Sequence, residues 1–154
     1  MNNLNKLILL CAGILFVSCG GNPNYKKNLA TAQKLFSLHG EEKIDEQLAL
    51  VSKDIKLYTP MYGATEPLGY DAYASILKGY HDGFEDIKYN AQAWLPGVDT
   101  LSLKPDGSVR TYGTWTGKNS STGKDINLNG YWYFNFDATA DEFYIWSRRC
   151  SCSI

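Results

Sequence analysis

Residues 129–136 read Asn-Gly-Tyr-Trp-Tyr-Phe-Asn-Phe, and this stretch decides the fold. Five of the eight residues are aromatic, and aromatic residues favour β-strands. Because strand side chains alternate between two faces, one face carries Gly130, Trp132, Phe134 and Phe136 and the other carries Asn129, Tyr131, Tyr133 and Asn135. Neither face has the composition of a solvated surface. The stretch therefore predicts a strand inside a sheet that is covered on both sides.

The sequence around this stretch predicts a meander of four strands. From residue 87 onward the apolar residues recur with a period of two, which is typical of strands. We predict strands at residues 87–95, 108–116, 126–136 and 143–149. The predicted breaks between them are Pro96 with Gly97, Asp106 with Gly107, residues 119–123 and residues 137–141.

Three helices are predicted before the strands. The first has one apolar stripe and ends at Gly40, and its stripe consists of Tyr25, Leu29, Ala32, Phe36 and His39. The second is short and follows Glu41 and Glu42, with Ile44, Leu48 and Val51 on one side. The third is capped by Asp71 and buries Tyr73, Ile76, Leu77, Tyr80 and Phe84. A short strand at residues 55–58, ended by Pro60, is predicted between the second and third helices. Helices followed by antiparallel strands indicate an α+β fold.

The N-terminal residues have the layout of a secretory signal. Lys6 precedes an apolar run at residues 7–17, which is too short to cross a hydrocarbon core of about 30 Å. The run closes in Leu-Phe-Val-Ser-Cys-Gly, which resembles the lipobox of bacterial lipoproteins. The resemblance implies removal of residues 1–18, acylation of Cys19, a tether at residues 19–27 and a domain at residues 28–154. It also implies a lipid-anchored protein of the cell envelope, which we place on the outer membrane facing the periplasm.

The composition narrows the classes of partner. The 154 residues suffice for one domain and a targeting segment. The 15 basic and 16 acidic side chains are balanced, so no basic stripe is available to neutralise phosphates, and nucleic acid is not a predicted partner.

The order of elements resembles the nuclear transport factor 2-like (NTF2-like) superfamily, including its SnoaL-like and ketosteroid-isomerase-like branches. The likeness is carried by residues 48–60, which run through Lys-Asp-Ile into Leu-Tyr-Thr-Pro, and by residues 69–84 and 86–94. The resemblance implies a cone, in which a curved antiparallel or mixed sheet wraps around about three N-terminal helices and leaves a mostly apolar pocket. It also implies a homodimer formed through the outer face of the sheet.

The catalytic residues of the isomerase branch are not matched. That branch has a carboxylate before the proline of its first strand and a tyrosine on its first helix. Here Thr59 precedes Pro60, and residues 28–39 contain no tyrosine. His81 is the remaining acid–base candidate, since histidine titrates near neutral pH. The alternative for His81, and equally for His39, is a helix-end histidine bonded to backbone carbonyls. The strand-end residues Asp99, Asp137 and Asp141 are better explained as turn residues.

Aromatic residues are the predicted ligand contacts. Those expected near the mouth or interior of the cone are Tyr58, Tyr62, Tyr73, Tyr80, Trp94, Tyr112, Trp115 and Trp132. From these we predict ligand binding by Tyr58, Tyr62, Tyr80, Tyr112, Trp115 and Trp132. The alternative for each is packing in the core.

Metal and cofactor motifs are not predicted. The two histidines are far apart in sequence without a paired carboxylate motif, and no glycine-rich phosphate loop is present. Cys150 and Cys152 either form a disulfide or remain thiols. Two functions follow. The first is a tethered, non-catalytic domain that binds a small apolar or aromatic ligand or a protein partner. The second is a SnoaL-like isomerase, cyclase or dehydratase acting on a small hydrophobic substrate.

Overall fold

The computed structural model describes residues 21–59 and 65–136, and the backbone of residues 143–148. The predictions for Cys19, Tyr62, Asp137, Asp141, Cys150 and Cys152, and for the signal sequence, fall outside these ranges. No helix in the described ranges is long and apolar enough to cross a membrane.

The three predicted helices are present. They are α1 (Tyr25–Gly40), α2 (Ile44–Leu48) and α3 (Tyr70–Gly83). The predicted stripe of α1 is buried at Ala32, Phe36 and His39. The prediction that Asp71 caps α3 is wrong, because the N-cap is Gly69 and Asp71 lies in the first turn. A carboxylate in that turn still faces the positive end of the helix dipole.

The predicted strand at residues 55–58 is reduced to bridge residues at Leu57 and Tyr58. Leu57 and Leu68 exchange two backbone hydrogen bonds of 2.9 Å, and no further pair extends them in the described residues. Pro67 precedes Leu68, and its missing N–H prevents it from continuing a ladder.

The sheet consists of β1 (Phe84–Val98), β2 (Pro105–Asn119), β3 (Asp125–Phe136) and β4 (Phe143–Arg148). The strands are antiparallel and lie in the order β1-β2-β3-β4. The helices pack against its concave face, mainly through contacts of α1 with β1 and β2. The predicted α+β cone is therefore confirmed.

Two of the predicted breaks are wrong. Pro96 and Gly97 lie inside β1, where the register with β2 shifts between Pro96 and Val98. Asp106 and Gly107 lie inside β2, and Gly107 takes the positive φ of 87° that favours glycine. The reversal between β1 and β2 is made instead by residues 99–104, which we call the hairpin tip. The predicted break at residues 119–123 is a turn, in which the Asn119 side chain accepts hydrogen bonds from backbone amides.

The two faces of β3 have separate neighbours. On the concave face Phe134 is fully buried and its ring lies 5.3 Å from that of Phe36. On the outer face Tyr131 lies 4.9 Å from Tyr112 of β2. The predicted alternation of this strand is confirmed.

Phe36 is the centre of the core. Its ring lies within 6 Å of five other aromatic rings, those of Tyr89, Trp94, Trp115, Trp132 and Phe134. We call these six rings the aromatic cup.

A pair of glycines makes room for the aromatic cup. Gly113 of β2 lies opposite Gly130 of β3 in the register. A Cβ atom on Gly113 would overlap the Tyr89 ring, and one on Gly130 would overlap the indole of Trp132. Glycine at both positions therefore lets two large rings lie flat on the concave face.

Candidate functional site

A cavity of about 350 Å³ opens between the concave face of the sheet and the helices. Its walls are mostly apolar, and aromatic residues from both layers contribute to them. The lining residues are Leu35, Phe36, His39, Gln47, Leu57, Thr59, Tyr73, Ile76, Leu77, Tyr80, Phe84, Ile87, Trp115, Ile126, Leu128, Asn129, Gly130, Tyr131 and Trp132. A concave, mostly apolar space with a few polar groups is the usual form of a small-molecule site.

The cavity lies at one end of the cone. Phe84 and Ile87 line it from the start of β1, and Ile126 and Leu128 line it from the start of β3. The hairpin tip lies at the other end of β1, about 45 Å away if the strand were straight. The cavity and the hairpin tip are therefore at opposite ends of the sheet.

Three buried polar side chains meet at the cavity wall, and we call them the polar cluster. His39 comes from the last turn of α1, Gln47 from α2 and Tyr73 from the first turn of α3. Gln47 Nε2 donates a hydrogen bond of 3.3 Å to the Tyr73 hydroxyl. Burial raises the pKa of Tyr73 well above its usual value. Tyr73 is thus a neutral phenol at all physiological pH values, and its O–H is a donor in an apolar wall.

His39 also contacts a second histidine. His81 Nε2 lies 3.1 Å from His39 Nδ1 and 3.0 Å from the His39 carbonyl oxygen. A carbonyl oxygen only accepts, so we infer that His81 Nε2 carries a proton and donates it. His39 Nδ1 then accepts, and the proton of neutral His39 is on Nε2. The remaining ring nitrogen of His81, Nδ1, is buried and has no hydrogen-bond partner among the described residues.

The environment of His39 holds the imidazole neutral. Burial, with a smaller contribution from the charge of His81, lowers the pKa of His39 to about 4. The Gln47 side chain beside the ring opposes this decrease, but among the described residues the buried Gln47 oxygen accepts no hydrogen bond of standard geometry. At neutral pH His39 is therefore a weak base, and it presents an N–H donor rather than a positive charge.

The predicted site residues separate into two groups. Tyr80, Trp115 and Trp132 line the cavity, whereas Tyr58 and Tyr112 do not. Tyr112 was expected near the mouth of the cone, but the alternation of β2 places it on the outer face, where it is 40% exposed. Tyr62 is outside the described residues. His81 is not a lining residue and reaches the cavity only through His39.

Gln47 is a buried polar lining residue that the sequence did not predict. It follows Asp45 and Glu46 in a five-residue helix, so its neighbours make it look like a surface glutamine and no motif distinguishes it. His39 was available as a signal, because it continues the apolar stripe of α1 three residues after Phe36. A titratable residue on a buried stripe favours a pocket position. Within the described ranges no cluster of three His, Cys, Asp or Glu side chains has the spacing of a metal site.

Sequence comparisons with family models and with curated proteins find no match. Solved structures do match. An NTF2-like protein of unknown function from Exiguobacterium sp. 255-15 superimposes with a TM-score of 0.64 at 19% identity, covering 79% of this chain and 99% of that one. A protein assigned as a SnoaL-like polyketide cyclase from Shewanella denitrificans OS-217 gives 0.63 at 14% identity, covering 84% and 92%.

A third similar structure holds a ligand. It is a Mycobacterium tuberculosis protein in complex with estradiol-17beta-hemisuccinate, with a TM-score of 0.60 at 11% identity, covering 77% of this chain and 90% of that one. At such identities the likeness concerns the fold. The chain has the NTF2-like fold, as its order of elements predicted.

Proposed function

We propose that this chain is a lipid-anchored protein of the bacterial envelope whose NTF2-like domain binds a small apolar molecule without converting it. Acylation of Cys19 and a location on the outer membrane facing the periplasm are parts of this proposal. They rest on the likeness of residues 15–20 to a lipobox. Several acyl chains give an anchor that does not readily dissociate. A mature chain whose mass lacks acyl groups would contradict the anchor.

The observation that carries the binding proposal is the polar cluster in an apolar cavity. Within the part of the chain that the structure describes, the buried Gln47 oxygen has no hydrogen-bond partner of standard geometry, and an unpaired buried acceptor is costly. A ligand hydroxyl beside it would supply the missing donor. Tyr73 O–H and His39 Nε2–H would in turn donate to a ligand carbonyl or hydroxyl oxygen. The expected ligand is therefore compact and apolar, with at least one such oxygen.

Two features favour binding over catalysis. Thr59 lines the cavity at the position where the isomerase branch has its carboxylate, and threonine is not a general base. His39 has a pKa of about 4 and so accepts protons poorly at neutral pH. The steroid derivative held by the Mycobacterium tuberculosis structure is a ligand of the expected class, which supports the proposal by analogy of fold.

Native mass spectrometry of the full chain, extracted in mild detergent from membranes of its own host, tests this proposal. We expect a retained small molecule that is released on unfolding. Ile76→Trp fills the cavity from α3 and should abolish the retained mass, whereas Ser75→Trp, on the exposed face of the same helix, should keep it. Tyr73→Phe should weaken binding about fivefold to tenfold, the usual value of one hydrogen bond. Equal retention by the two tryptophan variants would contradict binding in this cavity.

A second candidate function is a SnoaL-like isomerase, cyclase or dehydratase, and the contact between His39 and His81 favours it. A neutral imidazole N–H beside an apolar cavity can polarise a carbonyl. Proton-transfer chemistry would exchange a ligand proton with solvent. Uptake of deuterium by the retained molecule in heavy water, lost in His39→Gln, would support the enzyme. Retention of the molecule without exchange would support binding alone.

We further propose a homodimer through the outer face of the sheet. Leu95 of β1 and Tyr112 of β2 are 41% and 40% exposed there, beside Tyr131 of β3. A contiguous apolar patch on a sheet face usually marks a contact.

Native mass spectrometry should therefore give a dimer for the wild type at micromolar concentration. Tyr112→Glu places a charge in the interface and should give a monomer. Thr122→Glu, in the turn between β2 and β3, should remain dimeric. A monomeric wild type would refute the interface.

A further inference from the structure

The hairpin tip exposes two leucines more completely than any other large apolar residue in the described ranges. Leu101 is 93% exposed and Leu103 is 74% exposed. The tip is nevertheless built as a defined turn. The Leu103 amide donates to the Asp99 carbonyl at 2.9 Å, and the Asp99 amide donates to the Lys104 carbonyl at 2.9 Å. The Asp99 carboxylate also accepts a hydrogen bond from the Ser102 amide at 2.7 Å. The leucines are thus held outward by a hydrogen-bonded loop.

The backbone conformation at position 103 of the hairpin tip favours glycine or asparagine over the leucine that is present. Leu103 has a φ of 57°, in the left-handed region that glycine or asparagine normally occupies. A leucine there adds strain to the turn and leaves most of its side chain in solvent. An exposed apolar side chain on a strained residue points to a function outside the fold.

The N-terminal end of the described chain lies beside this tip. The Asn22 side chain packs against Gly107, since a Cβ atom on Gly107 would lie 3.0 Å from Asn22 Oδ1. Asn28 holds the same segment by donating to the Gly107 carbonyl at 2.8 Å. Gly107 follows Leu103 by four residues, which span at most about 14 Å. The start of α1 and the hairpin tip therefore share one end of the molecule.

Cys19 precedes Asn22 by three residues, so its Cα atom is at most about 11 Å from that of Asn22. We propose that the hairpin tip inserts Leu101 and Leu103 into the bilayer surface that holds the acyl chains of Cys19. The inference rests on the lipid anchor proposed above and adds a second, protein-made contact. A tether this short brings any apolar group at the same end of the domain to the level of the lipid headgroups.

A bilayer fits the hairpin tip better than a protein partner or a second copy of the chain. Two leucines on a turn offer far less than the roughly 800 Å² per partner that a stable protein interface buries. Insertion into a lipid interface needs no matching surface, and the binding free energy becomes more favourable with each apolar side chain that enters it. Acyl chains on Cys19 hold the tip at the membrane, so a weak contact suffices to orient the domain.

The two-point contact fixes the direction of the cavity. The hairpin tip and the N-terminal end of the described chain are at the end of the sheet opposite the cavity. The cavity then lies at the end of the domain away from the membrane, and the domain takes its ligand from the aqueous side. The inserted leucines determine orientation, and the acyl chains determine attachment.

The test places a fluorescent probe at the hairpin tip of the full acylated chain. Leu101→Cys is introduced in a Cys150→Ser, Cys152→Ser background and labelled with a polarity-sensitive dye. The labelled protein is reconstituted in vesicles of phosphatidylethanolamine and phosphatidylglycerol that contain spin-labelled quencher lipids. Ser121→Cys, at the turn on the opposite end of the sheet, is the matched control. We expect quenching several-fold stronger at position 101 than at position 121. Equal quenching at the two positions would overturn the inference, and dye at position 101 that is shielded without lipid quenching would assign the tip to a protein instead.

Leu103→Gly separates membrane contact from folding. Glycine adopts the φ of Leu103 without strain, so the melting temperature should be unchanged or higher. Lipid quenching of the dye at position 101 should nevertheless fall at least twofold, because one of the two inserted side chains is gone. Unchanged quenching would overturn the inference. The lipid anchor and the tip contact are contradicted by different results. An intact mass without acyl groups would contradict the anchor. An acylated chain whose dye at position 101 stays in water would contradict only the tip contact.

Discussion

Replacing Phe36 with alanine is expected to lower the free energy of unfolding by about 4 kcal/mol, within the range for deleting a buried aromatic side chain. Phe36 is only 8% exposed, and its ring lies 4.6 Å from that of Tyr89 and 4.9 Å from that of Trp115. Removal leaves a space enclosed by rings from the sheet strands, which a rigid sheet cannot close. Urea denaturation followed by tryptophan fluorescence measures the loss.

Leu128→Ala is the control for this prediction. Leu128 also lines the cavity, but it is 37% exposed and lies outside the aromatic cup. Its truncation should cost about 1 kcal/mol or less. If Phe36→Ala cost no more than Leu128→Ala, the concave face would be held by something other than the aromatic cup.

Periodicity predicted most of the fold because the two layers bury one side each. The stripe that contains Ala32 and Phe36 faces the sheet, and the alternate residues of β3 face the helices. The apolar stripe of α1 and the apolar face of β3 must both be buried, and they are buried against each other. At residues 55–58 the alternation correctly gave the buried side, Ile55 and Leu57, but the segment makes only the antiparallel bridge of Leu57 with Leu68 within the described residues and not a ladder.

The ends of β1 and β2 could not be predicted, because both strands contain residues that usually break a strand. Pro96 lies in β1, which has one neighbour in the described sheet, so its missing N–H removes no central ladder bond. Gly107 lies in β2 at a positive φ and is held there by Asn28. A hydrogen bond spanning 79 residues leaves no local signal.

The candidate site was harder to predict than the fold. Trp115 and Trp132 could be predicted because cone interiors bury aromatics, and both line the cavity. The meeting of His39 with His81, 42 residues apart, depends on how α1 and α3 pack. In the sequence each histidine resembles a residue that caps a helix end. Only their contact in the structure shows that His39 belongs to the cavity wall and that His81 packs behind it.

Acidification is expected to destabilise the fold through His39, with the loss beginning near pH 6.5 and complete below about pH 4. The pKa of His39 is about 4 in the folded chain and about 6.5 in an unfolded one. The unfolded chain therefore binds the proton more tightly, so stability rises with pH between these values and falls as pH decreases through them. This difference in pKa, about 2.5, corresponds to a loss of at most about 3 kcal/mol in the free energy of unfolding. Urea denaturation at intervals from pH 7 to pH 4 measures the slope.

Carboxylates also titrate at the acidic end of this range, so the contribution of His39 is the difference between wild type and His39→Gln. Glutamine stays neutral and can still meet His81 Nε2–H with its side-chain oxygen. The variant should therefore lose most of the dependence between pH 6.5 and pH 5, where few carboxylates titrate. His81→Gln should keep a slope only slightly smaller, because burial and not His81 is the main cause of the low pKa of His39. Superimposable pH profiles for wild type and His39→Gln would show that the imidazole is solvated, and the cavity would then lack the neutral donor on which the proposed ligand chemistry depends.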